Sequence, residues 1–571
     1  MKISSLLRNQ GLFIVFLALS VIFTYKDLPK TFFQQDEWWT FGSLIFRESG
    51  GLINVLRDSF VRGKIHFTPL NEITGYLQFR AFGINFVPYA WTSIVLHIFI
   101  SWLVFWLFRR ITKKSSLSLL GVLLFAVNSI AHQAVSWVAA STNTLGATFF
   151  SLLSLVAMLF YVKKRTIKLV YVSLAAAIVA LLFKETLFAF LIAPLIVILY
   201  GREYGLTIMK NFFLPSIIFL GFYALLRVLI FFVSEPVVLG LTEVQNQPGI
   251  SVIIYRGFVL AFKAFPQSLI GQGMLLSLSR ALVYLAYPTF IAADGAANPY
   301  VVETAALDLT CYIVSFLGAV ISYVVWRYYR KNQKELGSAI ILSLAIIVAG
   351  ALPIILIPGK GGYVSIIEPR HLYMSTIGAS LWFVLVVNAF VRVFLKSKRT
   401  FWLIAILIPV GFFHLQTVRS DMDKLKELGD QRRSFLTTVK NAYPSLWKYS
   451  VFYVESDSAY YGMPTEETNL PVQSGFGRML MVWYQEKEKL PGCLFEGVFL
   501  HDLIAEGYRN CEGRGFGYAR KYETLLRILK DNKLDSDNVI AYSWNGKTKE
   551  FWNITGELRM KINKDLKAAA L

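Results

Sequence analysis

Charged side chains are scarce: they make up 16% of the 571 residues, against roughly a quarter in soluble globular proteins. That scarcity, beside a hydrophobic content of 55%, excludes a soluble enzyme. Cysteine is nearly absent, with three residues. Cys311 falls in an apolar run, and only Cys493 and Cys511 share a region, so no metal-cluster pattern exists and two readings remain for that pair, a disulfide or two free thiols. Histidine is equally sparse at six, and no two histidines stand at zinc-ligand spacing. What the chain has in abundance is apolar runs of about 18 residues, each long enough to cross a hydrocarbon core of about 30 Å.

The net charge of +21 would point to nucleic acid in a soluble chain, but here its location decides. Six short clusters, Lys2/Arg8, Arg109 to Lys114, Lys163 to Lys168, Arg202/Lys210, Arg327 to Lys334 and Arg392 to Arg399, hold 20 bases against two acids. From residue 417 onward, 23 bases nearly balance 21 acids. The excess is therefore a positive-inside signature, which places the N-terminus in the cytoplasm and leaves nucleic-acid binding without support. The first apolar stretch lacks a small-residue cleavage site after Tyr25 and reads as an uncleaved helix.

Hydropathy and basic loops together predict membrane helices over about 9–25, 88–108, 116–131, 144–162, 168–183, 186–200, 211–233, 306–327, 338–357, 372–392 and 400–416. Residues 234–305 carry Arg256, Lys263 and Arg280 and are broken by Pro266 and Pro288, so they read either as interfacial helices or as one more transmembrane hairpin. The count is 11 or 13. Residues 26–87 form an outer loop too long to be a mere connector. The fold class is thus mainly α, a polytopic membrane bundle over 1–416, followed by a small extracytoplasmic α/β domain over 417–571. That domain opens with a charged amphipathic stretch, Ser420 to Lys440. Strand-like runs then follow at Val451–Val454, Met479–Tyr484, Val539–Trp544 and Phe551–Ile554, with Asn545-Gly546 as a hairpin turn. Its composition names no activity, and its Asn553-Ile554-Thr555 sequon is a triplet common by chance.

The candidate chemistry lies on the outer side. Ionisable groups near the hydrocarbon are costly unless they face a polar cavity or a partner, so their convergence marks a site. Asp36 and Glu37 follow the first helix, where a carboxylate suits a general base toward a hydroxyl; the bland alternative is a solvated pair beside two membrane-anchoring tryptophans, Trp38 and Trp39. Lys184 and Glu185 are either site residues or a self-neutralising pair at a helix end. Arg227 either binds an anion or snorkels. Arg370, in Glu368-Pro369-Arg370-His371-Leu372-Tyr373, opens an outer helix end where guanidinium and backbone amides suit a phosphate. His97, at bilayer depth, reads as hydrogen-bonded packing, whereas His66 and His132 lie near the outer face.

The Asp36-Glu37 pair after helix 1 resembles the acidic motif of the GT-C superfamily of membrane glycosyltransferases, above all the protein O-mannosyltransferases. His66-Phe67-Thr68-Pro69-Leu70, Phe82-Gly83, His97, Phe125-Ala126-Val127-Asn128 with His132, Val135 and Trp137, then Phe183-Lys184-Glu185 and Glu368 to Tyr373, follow the order seen in the transmembrane O-mannosyltransferases that carry tetratricopeptide repeats. Three features differ: no such repeat follows the membrane region, Trp38-Trp39 stand where the O-mannosyltransferases have His-Phe-Gly, and Thr68 replaces the arginine before proline in the repeat-bearing group. The resemblance implies a polyprenyl- or dolichyl-phosphate sugar as donor and a protein, glycan or lipid hydroxyl as acceptor. It further implies inverting transfer on the outer side, Asp36 as base with Glu37 beside it, and Arg370 on the donor phosphate. Position adds Lys184 and Arg227 to the phosphate contacts, and His66, Glu185, His371 and Tyr373 to the substrate contacts. No cofactor is required, because cations can neutralise a leaving monophosphate, although a divalent ion at Asp36 and Glu37 is an open alternative. Two other classes fit the helix count, a lipid or polysaccharide transporter or flippase and a non-catalytic cell-envelope assembly protein. Transporters put polar sites near the midplane, and the outer-rim clustering favours an enzyme.

Overall fold

The computed structural model describes residues 10–48, 51–61, 67–201, 208–233, 250–286, 299–356, 366–395, 397–455, 472 and 475–568. Among the described residues, eight helices are long and apolar enough to cross a membrane, and three shorter apolar helices, Ser115–Ala126, Lys168–Phe183 and Phe188–Tyr200, join them. Together they correspond to the eleven spans read outside residues 234–305. The chain is a multi-pass integral membrane protein.

In chain order the helices are α1 (Gln10–Tyr25), α2 (Asp36–Glu48), α3 (Leu52–Val61), α4 (Pro69–Phe82), α5 (Phe86–Thr112), α6 (Ser115–Ala126), α7 (Gln133–Ser136), α8 (Val138–Lys164), α9 (Lys168–Phe183) and α10 (Phe188–Tyr200). There follow α11 (Leu214–Val233), α12 (Ile250–Leu269), α13 (Gln272–Ala286), α14 (Pro299–Asn332), α15 (Lys334–Ala351), α16 (Tyr373–Phe394) and α17 (Arg399–Ala442). Helix α5 packs on α6 and α8, α8 on α9 and α10, and α15 on α14 and α16. The basic loops gather at one end. Lys113 pairs with Glu335 at 3.0 Å, and Arg110 and Lys164 lie over the Phe160 ring at 5.0 and 5.8 Å from its centre.

Four expectations need correction. The 26–87 segment is no open loop: α2, α3 and α4 occupy most of it, because its aromatics bury against the bundle, with Phe32, Phe33, Trp38, Phe41, Phe86 and Tyr89 in mutual ring contact. Pro266 sits inside the continuous α12 rather than breaking it, and Pro288 lies outside the described residues. Both α12 and α13 pack along α14, where Lys263 forms a buried pair with Asp308 at 2.7 Å. The last membrane helix does not stop near 416: α17 runs 44 residues without interruption, so the amphipathic Ser420 to Lys440 stretch is its continuation.

Beyond α17 stands a five-stranded mixed sheet in the order β2-β3-β1-β4-β5, with β1 (Tyr449–Val454), β2 (Gly507–Cys511), β3 (Arg514–Ala519), β4 (Val539–Asn545) and β5 (Glu550–Asn553). Strand β1 is parallel to β3 and β4, and the two outer pairs are antiparallel. Helices α18 (Phe476–Glu488), α19 (Gly497–Asp502), α20 (Tyr522–Asp531) and α21 (Thr555–Ala568) complete the domain. The fourth correction is that Met479–Tyr484 belongs to α18 and is not a strand; a short apolar run fits a buried helix and a buried strand equally well. The β4–β5 turn forms at Asn545, whose side chain accepts from the amides of Lys547 and Thr548, although the pairing of Asn545 with Glu550 makes the loop four residues long. Cys493 and Cys511 are joined by a disulfide.

Candidate active site

The acidic pair opens α2, where negative charge in the first turn complements the helix dipole. Its two carboxylates do different work. Glu37 is 2% exposed and reaches back to accept from the amides of Gln34 (3.2 Å) and Gln35 (2.9 Å) and across to the amide of Ala139 (3.2 Å). The Gln34 side chain donates to the Ser136 carbonyl at 3.1 Å. Those bonds stitch the start of α2 to the end of α7 and the start of α8, so Glu37 holds the frame. Burial pushes its carboxyl up, against the pull of the backbone amides. Beside it opens a cleft lined by Thr40, Asn71, Glu72, Gln78 and Thr142.

Asp36 instead looks toward cations. Burial raises its carboxyl above the ordinary range; the charges of Arg370 and Arg478 oppose that rise, and Glu368 adds to it. Arg370 stands on the single turn Pro369–His371 before α16. Its guanidinium lies 4.3 Å over the Trp137 ring and pairs with Glu368, which also has His371 Nε2 at 3.7 Å. Lys184, at the C-terminal end of α9, donates to Thr144 Oγ1 at 2.9 Å. Its ammonium is pushed down to about 7, first by burial and then by the positive charge of Arg370, with Glu368 resisting. Four segments far apart in sequence, at 36, 184, 368–370 and 478, thus share one electrostatic centre.

Other predicted site residues fall elsewhere. Glu185 Oε1 accepts from the Phe67 amide at 3.0 Å and the Tyr223 hydroxyl at 3.3 Å, and pairs with Arg227 Nε at 3.2 Å. Arg227 and Glu185 therefore clamp the start of α4 to α11. Tyr373 is 2% exposed, and its hydroxyl meets His97 Nδ1 at 2.5 Å while His97 Nε2 meets the Ala126 carbonyl at 3.1 Å. With Nε2 donating to that carbonyl, Nδ1 accepts from the tyrosine, which makes His97 a packing histidine and Tyr373 its partner. His66 lies outside the described residues. His132 bridges to Asp421 of α17 at 3.3 Å, with Ser136 Oγ at 3.3 Å from its other nitrogen. The two tryptophans are not membrane anchors: Trp38 is fully buried in the aromatic cluster, and Trp39 lies under Arg478 at 5.3 Å.

No family profile matches the sequence, and no curated protein matches it. Among solved structures, the chain is similar to the archaeal oligosaccharyltransferase AglB from Archaeoglobus fulgidus, in complex with an inhibitory peptide and a dolichol-phosphate, with a TM-score of 0.41 and 12% identity. The match covers 83% of this chain and 63% of that protein's length.

Sequence reasoning missed Arg478, Trp137 as a platform, Asp421 and Gln267, whose side-chain oxygen accepts from the Ile367 amide at 2.8 Å and so holds the segment leading to Arg370. A signal for Arg478 was present: a single arginine interrupting Phe476 to Tyr484, where a charge so rarely survives burial without a partner. Among the described residues no group of three or more His, Cys, Asp or Glu has metal-binding geometry, and Glu37 has committed both oxygens to backbone amides.

Proposed function

We propose that this protein is an integral-membrane glycosyltransferase of the GT-C type, which moves a monosaccharide from a polyprenyl-phosphate donor to an acceptor hydroxyl of a protein, glycan or lipid on the extracytoplasmic side. The observation that carries the reading is that Asp36 and Lys184 each feel the charge of Arg370, which lies over Trp137 on the turn before α16, at the end of the bundle away from the basic loops. A buried carboxyl raised toward neutrality is suited to accept a hydroxyl proton, and fixed cations are suited to a leaving phosphate.

In this mechanism the acceptor oxygen attacks the anomeric carbon from the face opposite the phosphate, and its proton passes to Asp36. The bond from the anomeric carbon to the phosphate oxygen breaks. Its electron pair leaves with the polyprenyl phosphate, whose added negative charge is met by Arg370 and Lys184. To engage the phosphate, Arg370 exchanges Glu368 for it while keeping its stack on Trp137, a planar cation being suited to both contacts. Arg227 is not assigned a phosphate contact in this reading, since it pairs with Glu185.

The test is sugar release or transfer from radiolabelled polyprenyl-phosphate hexoses by purified protein in detergent with lipid. Wild type is expected to turn over and Asp36→Asn to fall by at least a thousandfold with folding intact. Transfer retained by Asp36→Asn removes Asp36 from the base role, and lipid binding without turnover by wild type across a broad donor panel overturns the enzyme reading in favour of a flippase.

A further inference from the structure

Among the described residues of the C-terminal domain, Arg478 is the one whose charge bears on Asp36. It lies on the first turn of α18, 3% exposed, between a glycine and a run of apolar residues. The close approaches that bring it there are built into small residues. A Cβ on Gly477 would stand 2.4 Å from the Tyr518 ring, so α18 fits closely against β3 because that position is glycine, and Gly42 lets the Leu500 side chain of α19 approach α2. The guanidinium stacks on Trp39, three residues after Asp36 and therefore on the same face of α2. The attraction is mutual: burial pulls Arg478 down to about 10, and the charge of Asp36 draws it back up.

We propose that Arg478 is a positioning residue that keeps Asp36 ionised and aimed when the donor is bound, so that the C-terminal domain is an integral part of the site. The inference rests on the proposed role of Asp36 as base. Five other titratable groups bear on that carboxyl or its surroundings: Glu37 beside it on α2, Arg432 of α17, which couples to Glu37, Arg370 and Glu368 at the turn before α16, and Lys184, which couples to those two. When a phosphate takes up Arg370, that cation no longer offsets the burial of Asp36, and the phosphate charge itself favours the protonated acid. A protonated carboxyl cannot accept a proton. Arg478 approaches from the docked domain, on the Trp39 side, and its charge remains to hold Asp36 as the carboxylate.

The experiment uses the full chain in detergent with lipid and compares wild type, Arg478→Gln, Arg478→Met and Arg478→Lys. Two readouts run in parallel over pH 4.5–8.5: the rate of sugar transfer, and carbodiimide labelling of Asp36 followed by mass spectrometry, which reports protonation without needing turnover. Removing an arginine beside an aspartate raises the carboxyl by about one unit or more. Arg478→Gln is therefore expected to move the acidic limb of the rate profile and the labelling midpoint upward by about one pH unit. Arg478→Lys should restore most of the shift, and Arg478→Met, which fills the same space without a polar group, should repeat the effect if the glutamine variant fails to fold. Unmoved limb and midpoint in a folded Gln or Met variant overturn the proposal. A shifted labelling midpoint in a protein that transfers no sugar upholds the coupling and defeats the enzyme reading instead.

Discussion

Lys184 and Glu185 are adjacent in the chain, yet one bonds Thr144 and feels Arg370 while the other clamps Phe67, Tyr223 and Arg227. The reading as a self-neutralising pair fails because the chain leaves its helical course at Lys184, whose extended backbone (φ −152, ψ 133) sends successive side chains to opposite sides. Asp36 and Glu37 divide in the same way, into a group facing cations and one accepting amides. Residue type and order made both pairs visible in the sequence; which member of each faces the site was not. A pH dependence follows from Lys184. Its folded-state value of about 7 lies below the ordinary 10.5, so the free site loses that charge as pH rises through 7, whereas a bound phosphodiester favours the protonated form and takes up a proton. Affinity for a polyprenyl phosphodiester, which itself does not titrate in this range, is expected to weaken about tenfold from pH 7 to pH 8.5. Calorimetry on wild type and Lys184→Gln checks it: the glutamine variant should bind weakly with no such slope.

At the scale of elements, hydropathy located the membrane helices because their length and composition answer to the bilayer and not to a neighbour. It failed where the surroundings decide. The Met479–Tyr484 run reads as a strand in isolation, but it forms α18 because Gly475 turns the chain at φ 85 and one flank of the helix must cover β3 while the other meets α2. Helix α18 ends on Lys489, which is exposed and held at φ 45, a left-handed conformation that costs an L side chain about 1 kcal/mol. Lys489→Gly is expected to stabilise the C-terminal domain by about 1 kcal/mol, read as a shifted urea midpoint with an unchanged slope; a loss of stability would mean that the lysine stem makes packing contacts worth more than the backbone strain.

At the scale of the molecule, one buried core runs from the membrane helices through α2 into the C-terminal domain, joining Phe13 and Leu17 of α1 to Trp38, Phe499 and Tyr518. The domain is therefore continuous with the bundle, and the boundary near 416 drawn from composition falls inside α17. The disulfide lies at this junction: Cys493 belongs to the turn Gly492–Phe495, which packs on α2, and Cys511 ends β2. A bridge across 18 residues stabilises by about 3 kcal/mol. Cys493→Ser is expected to make the C-terminal domain sensitive to trypsin and to lower sugar transfer severalfold while far-UV circular dichroism retains the helices. A variant as protease-resistant as wild type would show that the packing on α2 holds the domain without the bridge.

The sequence by itself determined the membrane bundle and its long apolar helices, and it brought forward the carboxylates and cations near their ends, because burial in lipid and the cost of charge there are written residue by residue. It also named the turn at Asn545, whereas for Cys493 and Cys511 it left a disulfide and two free thiols equally open, and the structure pairs them. Only the tertiary structure decided that Glu37, Glu185, Arg227 and Tyr373 brace the frame, that Arg370 lies on Trp137, and that Arg478 comes from the C-terminal part of the chain to bear on Asp36. Those assignments depend on contacts between segments up to hundreds of residues apart, and such contacts leave no periodicity in the local sequence.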